Sequence, residues 1–323
     1  MESSKMSAGR PGERGVALLA ALTVMALLVA LVLPFNQSAR VDVALAANVR
    51  DELKALYIAQ SGLTLALASL RADTTPEADG QGDQWAGFQA FAAGSASLFE
   101  EGGFDGRILD QNAKVNINEV LDDKGKIIEA RAAQLQRLFG LLGLDQAKLD
   151  AVLDWLDADN DTRPFGAESD WYQAGGLESP ANGPLESIAD LLKIKGITLE
   201  DFQGGEGRPG LKDVLTINSD GPVNINTAGA VVIASLCDGI DVKTSAAIVA
   251  ARQGKTYEKL EDIAADVPGI GTDVIAKIEP LVTLKSSSYL VEITATCNEA
   301  RQGLRAEVRR VGEVVGVTRV RIL

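Results

Sequence analysis

The 323-residue chain contains no histidine. That removes the commonest general acid–base group, the Ser–His and Cys–His nucleophile pairs, and most zinc and iron sites. Cysteine is scarce as well, with only Cys237 and Cys297 present. They either form one disulfide in an oxidising compartment or stay as two buried thiols, and their separation in sequence does not decide which. Basic charge is short: 31 Lys and Arg stand against 45 Asp and Glu, a formal net charge of −14. Such a chain repels phosphate backbones unless it gathers a basic patch, so calcium or a basic protein partner suits it better. The glycine-rich spots lack P-loop spacing, and no nucleophile–base pair stands out. An enzyme is therefore not expected.

What the chain does have is one long apolar run. Residues 1–15, "MESSKMSAGRPGERG", are polar and carry Lys5, Arg10 and Arg14. Residues 16–35, "VALLAALTVMALLVALVLPF", carry no charge. Twenty helical residues rise about 30 Å, the thickness of a bilayer's hydrocarbon core. The positive flank would stay cytoplasmic and the remainder would be exported. A secretory signal would end soon after its apolar region. Here helical periodicity continues beyond Pro34, with Val43, Ala47, Leu53, Leu56, Ile58, Leu63, Leu67 and Leu70 mostly three or four apart. Only Gly62 interrupts it, so the pattern predicts one helix over 16–72, membrane-spanning at 16–35 and amphipathic afterwards.

Beyond Asp73 the chain turns Gly-, Ala- and acid-rich, read as loop with a short helix near 84–93, and "FDGRILDQNAKVNI" reads as one or two short strands. "YLVEITATCN" places Tyr289, Val291, Ile293, Ala295 and Cys297 on one side of a strand. "GLRAEVRRV" and "GVTRVRIL" follow as two more, after the turn-like "EARQG" and "GEVVG". A sheet with one apolar face needs a partner surface, and the amphipathic half of the helix can supply it. Residues 119–285 are mostly helical by periodicity, including "LESIADLLKIKG" and "TAGAVVIASLCDG".

Two words repeat: "VNIN" occurs at 115–118 and again at 223–226, where "VNINTA" leads on to "VPGIGTDVIAKI". The PGIG turn has the glycines of a DNA-binding helix-hairpin-helix, which lets backbone amides approach a phosphate. The charge is wrong for that: over 255–285, lysines 255, 259, 277 and 285 face Glu258, Glu261, Asp262, Asp266, Asp273 and Glu279. A structural hairpin is the expectation, with a membrane-tethered helix-hairpin-helix DNA-binding protein as the alternative. Asn side chains bond backbone in turns and cap helices, so each VNIN reads as the start of one of two related helical halves, with a helix beginning near Ala228 in the second.

"DWLDADNDTRPFGAESDWY" places Asp154, Asp157, Asp159, Asp161, Glu168 and Asp170 within one short stretch. Alternating hard oxygen donors are the pattern of a Ca²⁺ site, although Thr162 stands where an EF-hand needs glycine and Pro164 follows. The alternative is a solvated acidic turn. Packing these carboxylates beside Trp155, Phe165, Trp171 and Tyr172 without a cation would be repulsive, which favours the metal.

"ERG" followed by the apolar run resembles the leader of type IV pilins and type II secretion pseudopilins. The resemblance implies cleavage after Gly15 by the prepilin peptidase and methylation of Val16 as the mature N-terminus. The glutamate usual at the fifth mature position is replaced by Ala20, as in minor pseudopilins of the K type; a lone carboxylate in the bilayer is costly, and its absence implies a subunit that needs no such charge partner. The acidic stretch, "ANGPLESIADLLKIKGI" and "VNINTA" resemble the same K-type family.

The resemblance implies an α+β fold: a leader at 1–15, the helix at 16–72, a pilin-like antiparallel sheet from 73–118 and 286–323, and an all-α helix-hairpin-helix (SAM-like) insertion at 119–285. It also implies Ca²⁺ in the insertion and a tip position on the periplasmic pseudopilus, where a bulky head would not clash with subunits stacked above. The implied setting is a single-pass inner-membrane anchor with a periplasmic C-terminal domain and no nucleic acid. The implied partners are the I- and J-type minor pseudopilins, the major pseudopilin and the prepilin peptidase.

Overall fold

The structure, a computed structural model, describes residues 11–73 and 77–323. Most of the expected leader, residues 1–10, lies outside these described residues. Helix α1 (Pro11–Arg71) is one unbroken 61-residue element that carries Pro34 within it. Its apolar part is exposed at every position from Val16 to Phe35 and is long and apolar enough to cross a membrane. Further along, Ala55, Ile58, Ala59, Ala66 and Leu70 are buried. Ala55, Ala59, Ala66 and Leu70 are four or seven apart and Ile58 is three from Ala55, which puts them on one stripe, so α1 is free on all sides early and one-sided late.

After α2 (Phe88–Ala93) and β1 (Gly103–Asp110) the chain leaves the sheet and builds the helical insertion. Its first half contains β2 (Val115–Asn116), α3 (Glu129–Leu141), α4 (Gln146–Leu156) and α5 (Ser169–Ala174). It continues through α6 (Leu199–Gln203), the small hairpin β3 (Gly204–Gly205) and β4 (Arg208–Pro209), α7 (Leu211–Val214) and β5 (Leu215–Thr216). The second half runs β6 (Val223–Asn224), α8 (Ala230–Ala234), α9 (Val242–Ala251), α10 (Glu261–Asp266), α11 (Thr272–Ile278) and β7 (Val282–Thr283).

The two halves are closed by the same device. β2 pairs in parallel with β5, and β6 in parallel with β7. In each VNIN the apolar residues Val115 and Ile117, or Val223 and Ile225, are buried. The first asparagine accepts from the amide of the second, Asn118 N to Asn116 Oδ1 at 3.0 Å and Asn226 N to Asn224 Oδ1 at 2.9 Å. The second asparagine then grips the backbone of a distant residue on both its polar groups. Asn118 holds Leu185 at 2.8 and 3.0 Å, and Asn226 holds Tyr257 at 2.9 Å twice. A side-chain amide used this way stands in for a neighbouring strand and leaves no buried backbone polar group unpaired. The first VNIN therefore belongs to the insertion, a few residues before the boundary at 118 drawn from sequence. The second word is followed by a turn, with Ala228 N donating to Asn224 O at 2.9 Å, so the helix begins at Ala230 and not at Ala228. "LESIADLLKIKG" likewise forms only a 3-10 helix, Ile188–Lys193, capped reciprocally by Ser187 and Asp190 at its start.

The chain returns as β8 (Ser288–Cys297), β9 (Ala300–Val311) and β10 (Val314–Ile322), giving an antiparallel sheet of order β1-β8-β9-β10. The hairpins are tighter than the expected turns "EARQG" and "GEVVG": Cys297 pairs with Ala300 and Val311 with Val314. Asn298 and Gly312 take the left-handed conformation (φ 52° and 59°) that such short loops require. Tyr289, Val291, Ile293, Ala295 and Cys297 are all buried on the face that meets α1. Gly62 lets helix and sheet approach, since a Cβ there would lie 3.0 Å from Phe104 and 3.1 Å from Ile293.

Two separate apolar cores result, one inside the insertion and one between α1, α2 and the sheet. Cys237 lies in the first and Cys297 in the second, both as free thiols. The cores meet through a buried polar layer. Asp79 pairs with Arg310 and accepts from Tyr289 Oη at 3.0 Å and from the Ser286 amide at 2.7 Å. Asp110 accepts from the hydroxyls of Thr227 and of Ser286 (2.6 Å), and Asn224 donates to Ser286 Oγ at 2.7 Å.

Candidate metal centre

The acidic loop occupies a defined place in the duplicated scaffold. In the second half, residues 252–256 alone connect α9 to the Asn226-bound Tyr257; in the first, residues 157–184 connect α4 to the Asn118-bound Leu185. The loop is thus an enlargement of one connection, while the scaffold around it repeats. α4 is started by Asp145, which accepts from Lys148 N at 3.0 Å. Its apolar residues lock into the core, and Trp155 stands edge-on to Tyr172 at 5.2 Å. Those contacts fix where Asp154 and Asp157 emerge.

Of the six expected ligands, the structure brings Asp157, Asp159 and Glu168 together, one oxygen of each within 4.8 Å of the others. Asp154 is fully buried nearby but occupied: its Oδ1 takes the Arg163 guanidinium at 2.6 Å, and the Arg163 amide lies 3.2 and 3.3 Å from its two oxygens. The same guanidinium nitrogen reaches Asp157 Oδ2 at 2.6 Å. Gly166 makes room for this arrangement, since a Cβ there would lie 1.8 Å from Asp154 Oδ2. Asp161 and Asp170 are exposed and lie outside the cluster; Asp161 contributes its amide to Asp159 Oδ1 at 2.9 Å, and Asp170 sits in the first turn of α5. Sequence reading missed Arg163, an arginine inside an acidic run, and Asn182. Asn182 adopts φ 46° and donates to Asp159 O at 2.9 Å, tying the far end of the loop to the cluster.

The electrostatics leave charge to be met. Glu168 Oε1 and Oε2, Asp157 Oδ1 and Asn182 Oδ1 are buried oxygens with no hydrogen-bond partner among the described residues. Burial, reinforced by Asp154, Asp157 and Asp159, pushes the Glu168 carboxyl up to about 7. Burial also raises Asp157. Unpaired buried oxygens are costly, and an all-oxygen donor set is the chemistry of a hard cation such as Ca²⁺. The residues present fit that ion.

The helix-hairpin-helix is also formed, with α10 and α11 joined through Gly269 at φ 98°. Two of the four lysines of this stretch are engaged: Lys255 pairs with Asp266 and lies 4.9 Å from the Tyr257 ring centroid, and Lys285 pairs with Glu77 at 2.7 Å.

A membrane-length helix continuing into an amphipathic stem under an antiparallel sheet defines a pilin-like protein, here with a duplicated helical insertion. Comparison with known proteins narrows this. Two models described as "Type II secretion system (T2SS), protein K" match residues 113–204 and 223–285, the two halves of the insertion. Curated relatives include Type II secretion system protein K from Pseudomonas aeruginosa, 28% identical over 81% of this chain and 79% of its own length. The protein of the same name from Klebsiella pneumoniae is 24% identical over 96% of both chains. A chain of the crystal structure of the GspK-GspI-GspJ complex from enterotoxigenic Escherichia coli shares the fold at a TM-score of 0.65 and 18% identity, covering 84% of this chain and 96% of that one. Both halves of the insertion, and most of the chain, are similar to the type II secretion system protein K family, a likeness that supports a minor pseudopilin role. That family is a structural part of a secretion machine and not an enzyme family, and nothing in the comparisons favours DNA binding.

Proposed function

We propose that the protein is anchored in the inner membrane by residues 16–35, carries its globular part in the periplasm, and caps the tip of the pseudopilus to assist its assembly and protein export. The observation that carries this reading is where the insertion is attached. It leaves the sheet at Asp110 and returns at Ser288, the edge of the sheet level with the end of α1, where Arg71 Nη2 donates to Val315 O at 3.0 Å. The bulk therefore lies at the end of the stem furthest from the apolar segment, where a subunit stacked above would collide with it. The I- and J-type minor pseudopilins are its proposed partners, as the related complex is one of GspK, GspI and GspJ; the major pseudopilin and the prepilin peptidase complete the set. The peptidase would cleave after Gly15, and Val16 would become the methylated N-terminus.

In this reading Ca²⁺ is held by Asp157, Asp159 and Glu168 with Asn182, supplying the positive charge their unpaired oxygens lack. Asp154 serves by holding Arg163. Asp161 and Asp170 play no direct part. The test is co-purification of the full chain in detergent with I- and J-type subunits, with and without Ca²⁺. A stable ternary complex with this chain at one end supports the proposal, and a complex placing another subunit above it refutes the tip position. For the metal, chelation should lower the melting temperature by several degrees, and Glu168→Gln should abolish that response. An unchanged melting curve with no Ca²⁺ heat in calorimetry would sink the metal assignment.

A further inference from the structure

The sheet face turned away from α1 has a charge opposite to that of the protein. The register places Asp105, Arg107, Glu292, Arg301, Arg305, Glu307, Arg309, Arg319 and Arg321 on that face. Six arginines meet three carboxylates there, within a chain whose net charge is −14. One cross-strand rung concentrates the excess: Arg107 lies opposite Glu292, Glu292 opposite Arg305, and Arg305 opposite Arg321. Glu292 is shared, accepting from Arg107 Nε at 2.8 Å and from Arg305 Nε at 3.0 Å. Arg321 has no ion pair among the described residues and stands beside a like charge, an arrangement that destabilises a sheet unless an anion lies between.

The arginines of this rung are exposed, and the insertion flanks them on one side. Sheet and insertion form the two walls of an open cleft of about 1200 Å³. Lys114 approaches from the insertion side, donating to Lys212 O at 2.8 Å, and burial lowers its affinity for its proton. Leu290, Ile188, Phe202 and Val231 give the cleft an apolar lining between the charges.

We propose that this cleft receives an extended acidic segment of a partner protein, its carboxylates on the Arg305–Arg321 rung and its apolar side chains against Leu290 and Phe202. Charge complementarity selects an acidic occupant. Extent selects a polypeptide: Arg107 and Arg321 are three strand spacings apart, about 14 Å at roughly 4.8 Å each, too wide for one phosphate or sulfate to bridge. Glu186 and Asp213 line the insertion side, so the occupant's acids must be confined to the sheet side, which a polypeptide with spaced carboxylates can do and an evenly charged phosphate backbone cannot.

The test uses the full chain in a neutral detergent and a fluorescein-labelled dodecapeptide of alternating Glu and Val, followed by anisotropy. Saturable binding is expected, weakening at least fivefold between 50 and 300 mM NaCl. Arg321→Glu should weaken it at least tenfold, Arg321→Lys should change it less than threefold, and Arg301→Glu, on the same face but outside the cleft, should leave it unchanged. Circular dichroism checks that each variant is folded. The proposal is overturned by wild-type affinity in Arg321→Glu, by no binding, or by equal binding of a Lys/Val peptide. Displacement by 1 mM inorganic phosphate would assign the site to small anions, and tighter binding of a twelve-nucleotide single strand would assign it to nucleic acid; either also overturns it.

Discussion

Asp110 sits where β1 gives way to the insertion, with Thr227 and Ser286 hydroxyls on one oxygen and the Asn112 amide on the other at 2.8 Å. Asp79 faces it through Ser286, and Arg310 and Tyr289 stand behind Asp79. Burial pushes Asp110 up to about 6 against these hydrogen bonds, from 3.8 for a free side chain. A folded-state value above the unfolded one means the native state holds the proton more tightly. That contribution is full below about pH 4 and is lost as pH rises through about 6. Between pH 4.5 and 7.5 the loss is about 2 kcal/mol. Denaturant unfolding of wild type and Asp110→Asn at both pH values should therefore show the variant gaining about that much relative to wild type at the higher pH. A constant difference between the two would refute the assignment.

At the scale of elements, α1 shows how a sequence interval becomes a packing requirement. Gly62 falls on the stripe of Ala55, Ile58, Ala59, Ala66 and Leu70, and it faces Phe104 and Ile293 at distances that leave no room for a branched side chain. Gly62→Val is expected to destabilise the stem–sheet core by about 1–3 kcal/mol through overpacking. Thermal melting of the full chain in detergent reads this as a clear downward shift, and an unchanged midpoint would mean helix and sheet are not held as described. Gly62→Ala should cost less, because the gain in helix propensity of about 1 kcal/mol offsets the tighter contact.

At the scale of the molecule, the two cores touch through polar groups rather than apolar ones. Arg310 is the hub: it pairs with Asp79 and with Asp73 (2.6 Å) and donates to Ser286 O at 2.9 Å. Removing one partner of a buried ion pair costs about 3–5 kcal/mol because the other charge is left uncompensated. Arg310→Ala should lower stability by that order and split calorimetric melting into two transitions, one for each core. A single transition at the wild-type temperature would show that the joint carries no such coupling.

The long helix, the inward face of β8 and the doubled VNIN were legible from sequence because each depends on local spacing. Apolar residues three or four apart make one face of a helix, alternate residues make one face of a strand, and Val and Ile flank asparagines in the same order in both halves. The acidic run was legible as a cluster, but not which carboxylates meet: Arg163 folds back onto Asp154 and shares Asp157, so Asp157, Asp159 and Glu168 come together while Asp161 and Asp170 stay outside. The distant grip of Asn118 on Leu185 and of Asn226 on Tyr257 lies outside any window of sequence. The basic face was hidden for the same reason. Its arginines are spread over three strands, each mixed with carboxylates, and only strand register gathers Arg107, Arg305 and Arg321 onto one rung beside the insertion. Periodicity decides which residues face inward along one element; which charges share a surface is decided by how elements pair, and that is a property of the tertiary structure alone.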